Sequence, residues 1–147
     1  MRHFQPSEFR EWFDRMSPRL LEVLDEFREL WGQPVTISPH PDALGRMMDQ
    51  GQASQHNFNQ WGEVRAADIF PKGMIGSADF ARAYNLAKQA GASGIGVYTD
   101  TRPGPMLHLD VRIDKTPANP ARWARIKDDG ESIYVGMARV MPRGWRA

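Results

Sequence analysis

The stretch PMLHLDVR, Pro105 to Arg112, constrains the fold more than any other part of the chain. Leu107, Leu109 and Val111 fall on one face of an extended strand, and Met106, His108 and Asp110 fall on the other. A strand with one apolar face must be covered by another layer.

Three helical patterns supply that layer. Ser17-Pro18 reads as an N-cap followed by a first-turn proline, and Leu20, Leu24, Phe27 and Trp31 then recur at helical spacing until Gly32 and Pro34 stop them. Ahead of it, Phe9, Trp12 and Phe13 predict a short helix from near Ser7, so residues 1–33 read as a helical hairpin or bent pair with an aromatic core stripe. Ser77 to Ala90 predicts another helix, capped by Ser77, with Phe80, Ala83, Tyr84 and Ala87 on one side and Gly91 past its end.

Strands are expected at Val35 to Ile37, Val64 to Phe70, Ile95 to Thr99 and Met106 to Ile113, with a long connection after the first. A terminal hairpin pairs Trp123 to Lys127 with Ser132 to Val140 around the turn DDGE. The fold class is therefore α+β, with N-terminal helices packed on a mainly antiparallel sheet. At 147 residues and 41% hydrophobic composition, one domain is expected. Residues 34–126 form its chemical core and 127–147 a hairpin strand and tail.

The formal net charge of +1 gives no electrostatic reason to expect nucleic acid or an anionic membrane as partner. Cysteine is absent, which removes disulfides, thiolate metal sites and cysteine nucleophiles together. Any metal site must use His, Asp and Glu. MRHFQPSEFREWF has no apolar core of signal-peptide length, and no apolar run reaches the roughly 18 to 20 residues that span a bilayer. The expectation is a protein made in the cytoplasm without a signal peptide.

In VRAADIF, Asp68 shares a face with Val64, Ala66 and Phe70, where an unpaired carboxylate is costly to desolvate. A cation is its simplest partner. Together with His56, on a loop leading into that strand, and His108, it supplies the nitrogen and oxygen ligands that a four-coordinate zinc accepts, and three protein ligands plus a water is the composition of a catalytic site. The residues alone also admit an ordinary hydrogen-bonded His–Asp pair. The motif GASGIG is set aside as a phosphate loop because it follows a helix and Gly91 serves as a C-cap; His3 is read as solvated.

VTIS, SQH, AADIF, GIGVY and LHLDVR, taken in order, resemble the zinc peptidases that cleave bacterial cell-wall peptides. These include D-Ala-D-Ala carboxypeptidases and L-Ala-D-Glu endopeptidases of the hedgehog/DD-peptidase fold, and the likeness runs from about Pro34 to Trp123. The resemblance implies Zn2+ held by His56, Asp68 and His108, with Ser54 near the substrate. It further implies an arginine for a substrate carboxylate, for which Arg46 is the candidate and His40 the alternative. The implied partner is a peptidoglycan stem peptide, and the implied activity is hydrolysis of one of its amide bonds.

The sequence departs from the family pattern in two places. His56 and Asp68 are separated more widely than usual, so NFNQWGEVR would be an insertion that places Phe58 and Trp61 at the substrate entrance or in a solvent-exposed loop cap. The position three before His108, where many members carry a catalytic Glu, Asp or His, is Pro105. Asp110, on the face of His108, is the candidate general base, with Glu63 and Asp100 as alternatives. A wall hydrolase without a leader points to a bacteriophage lysis enzyme or virion component in contact with other virion proteins. The alternatives are a non-catalytic binding or structural module that keeps the peptidase fold, and a metal-independent interaction domain.

Overall fold

The strand predicted from PMLHLDVR lies near the middle of a six-stranded sheet. The computed structural model describes residues 1–147. Its strands are β1 (Val35–Ile37), β2 (Ala66–Pro71), β3 (Gly94–Tyr98), β4 (Met106–Asp110), β5 (Ala121–Asp128) and β6 (Glu131–Val135), in spatial order β1-β2-β4-β3-β5-β6. Every neighbouring pair is antiparallel except β3 and β5, which run parallel. The fold is α+β with a mixed sheet, and no helix is long and apolar enough to cross a membrane.

Period-two alternation divides the sheet's duties. Ala67, Ile69, Ile95, Val97, Leu107, Leu109 and Ala124 are fully buried and belong to one hydrophobic core with α1 (Pro18–Trp31) and α3 (Ser77–Ala90). The opposite face is polar. Register aligns Asp68, His108, Gly96 and Trp123 across four strands in one row, with Met106, Tyr98, Arg125 and Tyr134 in the next.

The element bounds depart from the sequence expectations where side chains compete with regular backbone. The first segment is a 3-10 helix, Pro6–Arg15, broken at Arg10, which adopts a positive φ of 57°. α1 follows the pattern: the Ser17 hydroxyl accepts from the Leu20 amide and Gly32 ends it at φ 77°. α3 is capped one residue earlier than expected, at Gly76, because the Asp79 carboxylate accepts from the Ile75 and Gly76 amides. β4 stops at Asp110 because Arg112 turns back onto the Asp110 carboxylate. The hairpin turns at Asp129 and Gly130, both at positive φ, as a tight two-residue reversal requires. Its second strand ends at Val135, and Met137–Val140 forms a 3-10 turn that buries Met137 and Val140 against the core.

β5 crosses residue 126, and β6 carries Tyr134 to the wall of the site.

Candidate metal centre

His56, Asp68 and His108 converge. All three are buried, and one ligand atom from each lies within 4.8 Å of the other two. Asp68 and His108 are direct cross-strand partners in β2 and β4, so register fixes their approach. His56 comes from the preceding loop. That loop is tied by the fully buried Asn57, whose amide group donates to the Asp49 and Gln52 carbonyls and accepts from the Met48 and Asn59 amides. Backbone bonds from Arg46 to His56 and from Phe58 to Arg46 dock the loop against residues 43–46.

The hydrogen bonds assign the ring nitrogens. His56 Nδ1–H donates to the Leu44 carbonyl at 2.6 Å, which leaves the Nε2 lone pair facing Asp68 Oδ1 at 3.4 Å. His108 Nε2–H donates to Asp110 at 2.7 Å, so Nδ1 faces the same Asp68 oxygen at 3.1 Å. His56 Nε2 is buried and has no hydrogen-bond partner. Two lone pairs and an anionic oxygen aimed at one point repel unless a proton or a cation lies between them. These two spans are close to the edge of about 3.3 Å that bonds of about 2.0 Å give a tetrahedron. The three ligand atoms could hold a metal ion.

Electrostatics without a metal agree with this arrangement. Burial pushes the His56 imidazole down and keeps it neutral. Burial opposes charge on His108 too, but its hydrogen bonds to Asp110 and Asp68 and their charges raise it to about 9, so a proton occupies the shared space. Asp68 is also opposed by burial, yet the two imidazoles hold it well below the ordinary carboxylate range. A metal ion bound here would compete with that proton for the same nitrogen.

The three residues open onto a cavity of about 610 Å³. Arg46 lies on its wall, with its guanidinium 3.7 Å from the Asp68 Oδ2 atom. Ser54 is there as well, and its hydroxyl accepts from the His56 amide, fixing the loop beneath the ligand. His40 does not reach this cavity; it lines an adjoining cleft of about 320 Å³ that also contains Arg46 and Arg102.

The candidate bases are all committed elsewhere. Asp110 is completely enclosed behind His108, bonded to the Arg112 Nε and NH2 groups at 2.9 and 2.6 Å, and does not line the cavity. This is the position of a group that orients His108 and fixes its tautomer. Glu63 pairs with Arg65, and Asp100 accepts from Arg125 and the Ser132 hydroxyl; neither lines the cavity. Asp68 is the one carboxylate on that wall. Phe58 and Trp61 are absent from it as well: Phe58 packs on Trp12 and against the core, and Trp61 donates its indole N–H to the Ser54 carbonyl.

Apart from Met106, the remaining wall consists of residues that no spacing rule singled out. Trp123 lies against the His108 ring at 5.0 Å between centroids, and its indole N–H donates to the Tyr98 hydroxyl at 2.8 Å. Arg112 and Arg125 stand over Trp123 and Tyr98. GIG in β3 makes this possible. A Cβ on Gly94 would collide with the Asp110 carboxylate, and one on Gly96 with the Trp123 indole. A Gly-x-Gly pair at period two, on the polar face beside a His strand, was the available signal.

No family model, curated protein or solved structure matches this chain.

Proposed function

We propose that the chain is a zinc-dependent peptidase that hydrolyses an amide bond in peptidoglycan stem peptides, as a carboxypeptidase or an endopeptidase, with a hedgehog/DD-peptidase-like fold. One observation carries the metal reading: the orphaned His56 Nε2 and the His108 Nδ1 converge on one Asp68 oxygen while both outer nitrogens are spent on Leu44 and Asp110. Zinc suits two imidazoles and a carboxylate, and when bound it supplies a Lewis acid that polarises a carbonyl and acidifies water. The order of the sequence motifs supports the peptide substrate.

The chain's own residues supply the rest. Asp110 holds the His108 tautomer through Nε2, and the Leu44 carbonyl does the same for His56. Arg46 approaches the Asp68 oxygen that the histidines do not, and offers the remainder of its planar fork to a substrate carboxylate in the cavity. A bacteriophage lysis enzyme or virion protein is the setting in which such a domain would meet the wall.

A second reading draws on a different observation. With Asp110, Glu63 and Asp100 paired away from the cavity, no free carboxylate stands ready as a general base, and this favours a metal-binding module of a phage virion without turnover. Digestion of purified peptidoglycan by zinc-loaded protein, followed by mass spectrometry of the fragments, separates the two. New stem-peptide ends establish the peptidase; intact peptides from protein with stoichiometric zinc establish the binding module.

A further inference from the structure

The Trp123–Tyr98 pair lies on the cavity wall beside His108, and neither metal retention nor the hydrophobic core accounts for it. We propose that Tyr98 is a catalytic residue, the hydrogen-bond donor to the scissile carbonyl oxygen as that oxygen gains negative charge. The inference rests on the peptidase reading above.

Four observations support it. The Trp123 N–H occupies one lone pair of the Tyr98 oxygen at 2.8 Å, which fixes the hydroxyl, and its own O–H, which neighbours Tyr134, can turn to donate to a substrate. Arg125 stands 4.7 Å over the Tyr98 ring and Tyr134 packs edge-on at 6.2 Å, so the ring is held by both neighbours. Cross-strand register places Tyr98 opposite Met106, two residues along β4 from His108, on the same polar face and the same cavity wall as the metal ligands. Gly96 is the opening through which Trp123 reaches Tyr98, since any Cβ there would strike the indole.

A preorganised neutral donor on the cavity wall stabilises charge that develops on the substrate oxygen without moving a proton. Burial pushes the Tyr98 phenol up, so it remains a donor throughout the working range of pH. Trp123 is a positioning residue: it touches Tyr98 and the His108 ring, and it acts by aiming the hydroxyl.

The test uses zinc-loaded full-length protein, a synthetic stem peptide, and a phosphinate analogue of that peptide, whose tetrahedral oxygens mimic the charged state. Tyr98→Phe removes one oxygen and should keep zinc content and melting temperature. It should lower kcat by about 10²- to 10³-fold with little change in KM. By calorimetry it should weaken phosphinate binding by a comparable factor while leaving binding of the product peptide unchanged. Trp123→Phe, which keeps the aromatic contact and loses the N–H donor, should give a smaller loss of the same kind.

If the parent cleaves and binds the phosphinate and Tyr98→Phe does both equally well, Tyr98 is a structural residue and the inference is overturned alone. If the parent holds zinc yet neither cleaves nor binds the phosphinate, the peptidase reading fails and takes this inference with it.

Discussion

Replacing Asp110 with asparagine separates two jobs that one carboxylate performs. Asp110 is fully buried; it accepts from His108 Nε2 at 2.7 Å and from the Arg112 Nε, NH2 and backbone N–H groups at 2.9, 2.6 and 3.2 Å. D110N keeps the shape, removes the charge that neutralises Arg112, and offers His108 an amide in place of an obligate acceptor. Breaking a buried ion pair costs about 3–5 kcal/mol. The Arg112 side chain keeps 22% exposure and recovers some hydration, which puts the expected loss near the lower end, about 3 kcal/mol. If the amide donates to Nε2, the proton moves to Nδ1, the atom aimed at Asp68, and zinc affinity should fall by about 10- to 100-fold. Urea unfolding of stripped protein measures the first effect, and competition with a chromophoric chelator measures the second. Arg112→Gln is the control, since it removes the ion pair and leaves the His108–Asp110 bond, so it should lower stability and keep the parent's zinc affinity. D110N with the parent's zinc affinity would refute the assignment of Asp110 as the residue that sets the His108 tautomer.

Two further outcomes are expected. His108 rises from 6.5 to about 9 in the metal-free fold, so its contribution, on the order of 3 kcal/mol, is complete below pH 6.5 and is lost as pH rises through about 9. Urea midpoints of stripped protein should fall across that window, and apparent zinc affinity should rise across it as the competing proton leaves; flat profiles would show that His108 holds no such proton. Gly96→Ala forces a Cβ into the Trp123 indole and should cost about 1–3 kcal/mol in urea unfolding, and less in a Trp123→Ala background. Equal losses in both backgrounds would mean that the collision is not the cause.

The donor set was legible because its chemistry is local. Asp68 stood out as a carboxylate on an otherwise apolar strand face, and His108 as the polar partner in an alternating strand. Their convergence was not legible, because it depends on β2 and β4 being sheet neighbours despite the helix and strand between them in sequence. Asp110 shows the limit most clearly: sharing a face with His108 was correctly read, but whether a carboxylate faces solvent or an arginine depends on Arg112 folding back, which no periodicity encodes. Tyr98 and Trp123 look like ordinary strand aromatics until the parallel pairing of β3 with β5 brings them together across Gly96. The wide spacing between His56 and Asp68 is accommodated by the short helix α2 (Phe58–Trp61), capped by Asn57 and packed away from the cavity.

The central claim is a metal ion on His56, Asp68 and His108, and elemental analysis of purified parent and His108→Ala protein tests it most directly. About one zinc per chain is expected in the parent, and none in a His108→Ala variant that keeps its circular dichroism spectrum. Equal zinc in both proteins, or none in the parent after exposure to zinc, would contradict it.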